Sequence, residues 1–169
     1  AFLRDVNDYF YVPARRAAMK ESVLERIRVG GGPFVVIGHS QGSMIAYDVL
    51  CDLDPATATV DLFVTIGSPL GVTEVRDQIS SLTGQKSLRV PRCVKRWINV
   101  ADPIDPVALD GTLAGEFTGG LQIQDFTVSN PDAPRHPHSG SGYLRTAVVQ
   151  KAVRDAVETA AFQPIAPFV

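Results

Sequence analysis

The sequence predicts an α/β fold in which a mostly parallel sheet of about four strands is flanked by helices. Three observations predict it. First, Phe34-Val35-Val36-Ile37 and Asp61-Leu62-Phe63-Val64-Thr65-Ile66-Gly67 are nearly continuous apolar runs. Such runs suit strands covered on both faces. Second, stretches with helical spacing separate the strand-like segments, so the connections are crossovers rather than hairpins. Third, the first apolar run stops at Gly38-His39-Ser40-Gln41-Gly42 and passes straight into Met44-Ile45-Ala46-Tyr47-Asp48-Val49-Leu50. That is a strand, a sharp turn and a helix, with Ser40 at the apex.

Taken in order, residues 1–13 carry Phe2, Tyr9, Phe10 and Tyr11 among acids and end at Pro13. Residues 14–29 read as a helix, with Ala17, Val23, Leu24 and Ile27 on an approximate apolar face. Gly30-Gly31-Gly32-Pro33 ends it, and no Gly-Lys-Ser/Thr follows that would make the glycines a phosphate loop. The helix after Ser40 runs to about Leu53, where Asp54-Pro55 breaks it. The second strand leaves through Gly67-Ser68-Pro69-Leu70-Gly71, and Val72, Val75, Ile79 and Leu82 mark an amphipathic helix over 72–83. A polar linker spans 84–92, and Val94–Ala101 reads as a third strand. Residues 102–121 form a long loop rich in proline, glycine and acids. Gln122–Val128 alternates polar and apolar, as a half-exposed strand near a sheet edge does. A second irregular loop, 129–142, precedes a closing amphipathic helix from Tyr143 to about Phe162.

Composition narrows the functional classes. A net charge of −2 and the lack of a dense basic run exclude nucleic acid as an expected partner. No apolar stretch approaches the roughly 20 residues that span a bilayer. A cytoplasmic location is the default expectation, and the first residue, Ala1 rather than Met, leaves room for an upstream segment. Cys51 and Cys93 belong to no metal or redox spacing and read as two buried or partly buried thiols. With no ligand-spaced His, Cys or carboxylate cluster, no metal and no organic cofactor is expected.

Ser40 needs a base to take its proton and a third group to orient that base. Two downstream loops supply candidates. Trp97-Ile98-Asn99-Val100-Ala101 is followed by Asp102-Pro103-Ile104-Asp105-Pro106-Val107-Ala108, and the fourth strand by Asn130-Pro131-Asp132-Ala133-Pro134-Arg135-His136-Pro137-His138. Both loops lie beyond C-terminal strand ends, where open parallel sheets place their sites. Two acids, Asp102 and Asp105, and two histidines, His138 and His136, compete for the roles. An aspartate before proline is also a common helix N-cap, so one of the pair is expected to be only structural. His39, inside the turn, is expected to point away from Ser40 and to pack.

Gly38-His39-Ser40-Gln41-Gly42 between strand and helix resembles the nucleophile elbow of the α/β-hydrolase superfamily, in lipases, cutinase-like esterases and thioesterases alike. In that family the triad order is Ser, acid, His, which this chain follows. Asp105-Pro106-Val107-Ala108 is similar to the segment that carries the triad acid in serine lipases, and His138 ahead of Tyr143-Leu144 to the one that carries the base. The resemblance thus implies Ser40 as nucleophile, Asp105 as acid and His138 as base. It also implies the Gln41 backbone N–H as one oxyanion donor. Both glycines of the elbow are expected to be needed for lack of space. The implied activity is cleavage of a carboxylic ester, with a small-molecule or lipid ester as substrate. Thioester cleavage on the same triad, or a non-catalytic hydrolase-like module, are the alternatives. Segments 84–92 and 107–121 are candidates for a lid or an acyl-pocket wall.

The resemblance covers nearly all of residues 1–169, read as one domain, but only the C-terminal half to two-thirds of the family's fold. No strand and no second oxyanion donor is recognisable ahead of Phe34. The nucleophile strand is therefore expected at an open sheet edge, completed by a missing N-terminal segment or a partner chain.

Overall fold

The computed structural model describes residues 2–28 and 32–161, apart from the side chains of 2–4 and 161. Gly30, Gly31 and Phe162, all named in the sequence-based expectations, lie outside the described residues. The order is α1 (Phe2–Tyr11), α2 (Pro13–Arg28), β1 (Phe34–His39), α3 (Gln41–Asp52), β2 (Val60–Ile66), α4 (Thr73–Thr83), β3 (Trp97–Ala101), β4 (Gln124–Thr127), α5 (Gly140–Leu144) and α6 (Ala147–Ala161). A 3-10 turn, Pro69–Gly71, links β2 to α4. The four strands form one all-parallel sheet in the order β1-β2-β3-β4.

Helices cover both faces because alternate residues of the central strands bury apolar side chains on opposite sides. Phe63 and Trp97 join Met44, Tyr47 and Leu50 of α3, Ile79 of α4 and Tyr9 of α1 in one cluster. Leu62, Val64, Ile66, Ile98 and Val100 point the other way, onto Val149 and Ala152 of α6. Trp97 and Phe63 rings lie 4.9 Å apart at the centre of the first cluster. The half-exposed pattern of β4 follows from its place at the far edge.

Three elements differ from expectation. Residues 2–11 form a helix where no element was expected. Tyr9 Oη donates to Asp48 Oδ2 at 2.6 Å, and Arg16 and Lys20 of α2 pair with the same buried carboxylate. Asp48 therefore clamps α1 and α2 onto α3. β3 begins at Trp97 rather than Val94, because Val94 makes only an isolated bridge to Val60. The closing helix is broken at Arg145-Thr146 into α5 and α6. There Ser139 caps α5 by accepting from Gly142 N–H, and Thr146 Oγ1 donates back to the Tyr143 carbonyl at 2.7 Å.

Among the described residues β1 pairs with β2 alone, as expected of an edge strand, and Ile37 in its middle is 39% exposed. Residues 2–11 do not cap it; α1 packs on α2, α3 and α4.

Candidate active site

Ser40 sits at the junction of β1 and α3 with φ 55°, the one described non-glycine residue in the left-handed region. Such backbone strain is held only where surroundings over-determine it. Two features hold it. Ser40 N–H donates to the Ile66 carbonyl at 3.2 Å, extending the β1–β2 ladder past the strand end. Ser43 Oγ donates to the Ser40 carbonyl at 2.5 Å and meets Ser68 Oγ at 2.7 Å, fixing the first turn of α3 from below. A Cβ at Gly38 would stand 2.6 Å from Ser43 Cα, so only glycine fits there. Gly42 corrects the expectation: a Cβ there would meet nothing within 4 Å.

The acid and base converge on Ser40 from the loops after β3 and β4. His138 Nε2 lies 2.8 Å from Ser40 Oγ, and His138 Nδ1 lies 2.9 Å from both oxygens of Asp105. Since a carboxylate only accepts, Nδ1 carries a proton, which leaves Nε2 as the ring nitrogen that meets the serine hydroxyl. Asp105 is 1% exposed, and its charge is held by more than His138. Tyr143 Oη donates to Oδ2 at 2.7 Å, and Val107 N–H donates to Oδ1 at 2.9 Å. Burial alone would raise this carboxyl, but the bonds from His138, Tyr143 and Val107 outweigh it and hold Asp105 below the usual carboxylate range. Burial and the facing Asp105 push the Tyr143 hydroxyl up, so it stays a donor.

Asp102, the competing acid, does not reach His138. Its Oδ1 accepts from Ile104 N–H at 3.0 Å and its Oδ2 from Asn130 N–H at 2.6 Å. It therefore ties the acid loop to the base loop. Asn130 then donates to the carbonyls of Pro137 and Ser139, at 3.0 Å each, on either side of His138. His136 is exposed on the same loop. His39 does not point away from the site as expected. Its ring packs against the His138 ring, 4.6 Å between centroids and tilted by 33°, because the loop after β4 carries His138 back over the end of β1, where His39 Nε2 meets the His138 carbonyl at 3.0 Å.

Gln41 is the first residue of α3, next to Ser40, so its backbone N–H has no partner within the helix. Its side chain turns elsewhere, donating to the Asp5 carbonyl of α1 at 2.6 Å. Comparison with protein-family models, curated proteins and solved structures finds no match to this chain. The arrangement itself has a defined chemical capacity: a hydroxyl aligned on an imidazole nitrogen whose ring a buried carboxylate orients. Among the described residues no cluster of three His, Cys, Asp or Glu side chains could hold a metal ion.

Sequence reasoning missed Gly67 and Tyr143. Gly67, just past β2 with φ 52°, forms the floor under the pair: a Cβ there would stand 2.8 Å from Asp105 Oδ2 and 3.2 Å from His138 Nδ1. Tyr143 figures in the sequence only as the start of a helix and as part of the pattern around His138; its bond to Asp105 is not foreseen. Of the candidate lid or wall segments 84–92 and 107–121, the second starts at Val107, bonded to Asp105, whereas 84–92 and the far end of 107–121 meet at another cavity. Arg89, Arg92, Thr118 and Leu121 line a cavity of about 620 Å³ together with Cys51, at the opposite end of α3. At 1.5 Å per residue that end is ~16 Å from Ser40. Both cysteines are free, Cys93 buried and Cys51 half-buried, with burial raising the Cys51 thiol to about 12.

Proposed function

We propose that the chain is a serine hydrolase of the α/β-hydrolase type that cleaves a carboxylic ester, lipase- or esterase-like, through an acyl-enzyme. Ser40 Oγ attacks the acyl carbon while its proton passes to His138 Nε2, and the carbonyl electron pair moves to oxygen. When that pair returns, the bond to the alkoxy oxygen breaks and the alcohol leaves with the proton from His138. Water, deprotonated by the same nitrogen, then attacks the acyl carbon; the acyl–Oγ bond breaks, Ser40 Oγ takes the proton back from His138, and the carboxylic acid is released. Asp105 orients the imidazole and faces the cation it becomes; the Gln41 N–H receives the oxyanion. The substrate is a small-molecule or lipid ester, and a thioester would follow the same steps with a thiol as leaving group.

The observation that carries this reading is the unbroken hydrogen-bond chain from Ser40 through His138 to a fully buried Asp105. A fluorophosphonate probe tests it on the intact, folded protein. Labelling of Ser40 that Ser40→Ala abolishes and His138→Ala slows by ~10³-fold or more fits the hydrolase. Folded protein that neither labels nor hydrolyses an activated ester rejects it.

A second reading, a non-catalytic hydrolase-like module, draws on the open β1 edge. The proposal that accommodates both is that a further strand, from a preceding segment or another chain, pairs with β1. Unpaired edge backbone is a ready template for such addition. Hydrogen exchange checks it: outer amides of β1 as slow as those of β2 in this chain alone would mean the edge is already covered.

A further inference from the structure

His39 makes contacts that neither the elbow geometry nor the triad requires. It is the last residue of β1 and the neighbour of Ser40 in the chain, yet its ring lies against His138, 99 residues away. The two imidazoles are 4.6 Å apart between centroids and inclined by 33°. His39 Nε2 lies 3.0 Å from the His138 backbone carbonyl. A carbonyl only accepts, so Nε2 carries a proton and donates it. On its other side Gly140 lies so close that a Cβ there would stand 3.0 Å from His39 Nδ1. The backbone of 138–140 thus wraps the His39 ring.

We propose that His39 is a positioning residue for the base: it anchors His138 to the nucleophile's own strand by gripping both its ring face and its carbonyl. This inference rests on the hydrolase reading above. The base arrives on a loop with no regular structure between β4 and α5, while Ser40 is fixed by the sheet. A misplacement of about 1 Å between reacting groups costs up to ~10²-fold in rate. Anchoring the loop to residue 39 makes Ser40 and His138 share one support. A neutral imidazole suits the task better than lysine or arginine would, because it donates without placing a cation beside the imidazolium that forms on His138. Burial, and then the facing His138, hold His39 below its ordinary value, which keeps it neutral.

His39→Phe keeps a ring against His138 and removes the donor; His39→Gln restores an N–H donor without the ring. Fluorophosphonate inactivation is measured as a maximal rate and a half-saturating concentration, alongside the downfield proton resonance of the His138–Asp105 bond. The expected result is a maximal rate ~10–100-fold lower in His39→Phe with half-saturation unchanged. Its downfield resonance broadens, and both readouts recover at least in part in His39→Gln. Wild-type rate and a sharp resonance in His39→Phe would overturn the proposal. So would equal losses in both variants that track a lowered melting temperature, which is plain packing. If the wild type itself does not label, the hydrolase reading fails. The resonance then decides alone: broadening in His39→Phe with recovery in His39→Gln upholds the positioning role, and persistence in His39→Phe rejects it.

Discussion

Asp105 and His138 are held by side-chain hydrogen bonds between loops, whereas Ser40 is held locally, by close packing and by bonds to Ile66 and Ser43, on a strand with one neighbour among the described residues. On the first side every polar group has partners: Asp105 meets His138, Tyr143 and Val107, and Asp102 and Asn130 bind the two loops together. On the second, a close approach of Gly38 to Ser43 and the bonds of Ser40 to Ile66 and Ser43 hold its strained φ, and among the described residues no strand pairs with the outer edge of β1. The difference teaches where each half of the chemistry gets its precision. The hydrogen-bonded side runs unbroken from Ser40 to Asp105 within the described residues. On the proposed reading, the side that would receive substrate and oxyanion has one candidate donor among them, the Gln41 N–H.

The sharpest way to break this contrast is to exchange the two aspartates' roles experimentally. Asp105→Asn leaves the shape but offers His138 the wrong partner, so the labelling rate is expected to fall by ~10³–10⁴-fold. Asp102→Asn keeps the triad and loosens the bond between the loops, which is expected to cost about 1–3 kcal/mol of stability with a far smaller change in rate. Probe kinetics with urea unfolding of both variants separates them. Equal rate losses would mean that Asp102 serves the chemistry as well.

A smaller effect sharpens the description of the bonded side. Tyr143→Phe removes the hydroxyl from Asp105 and leaves the buried Asp102 N–H unpaired, so about 1–3 kcal/mol is lost at neutral pH. The sign of its pH dependence follows from Asp105, whose folded-state value is depressed. Stability from a depressed carboxyl is present above its unfolded value near ~3.9 and lost as pH falls through the folded value. The Asp105 part of the gap between wild type and Tyr143→Phe should therefore narrow toward acid. Urea unfolding at neutral and strongly acidic pH measures it, and a gap that widens in acid would sink the assignment.

How much was legible follows the range of each interaction. β1 and β2 were readable because burial on both faces leaves continuous apolar runs, β4 by its alternation, and Ser40, Asp105 and His138 because each follows a readable strand. The helix α1 was not read, although Leu3, Val6, Tyr9 and Phe10 have helical spacing, since what holds it is Asp48, 39 residues from Tyr9. Gly67 and Tyr143 escaped for the same reason. Their task is defined by side chains that only the folded chain brings beside them. Asp102 and Asp105 share a local pattern, and only the position of Asn130 and His138 tells the loop tie from the orienting acid.

The smallest expected effect bears on the sterically held side. A Gly-x-Ser-x-Gly pattern treats its two glycines alike, but the resting structure demands only the first. Gly42 lies in the first turn of α3 with open space where a side chain would be, so Gly42→Ala is expected to raise stability by up to ~1 kcal/mol. The labelling rate should stay within a few-fold of wild type. A lower urea midpoint would show that the elbow is tighter than its static contacts. A retained midpoint with lost labelling would instead move the need for glycine from the fold to the bound substrate, whose acyl oxygen must approach the Gln41 N–H one residue away.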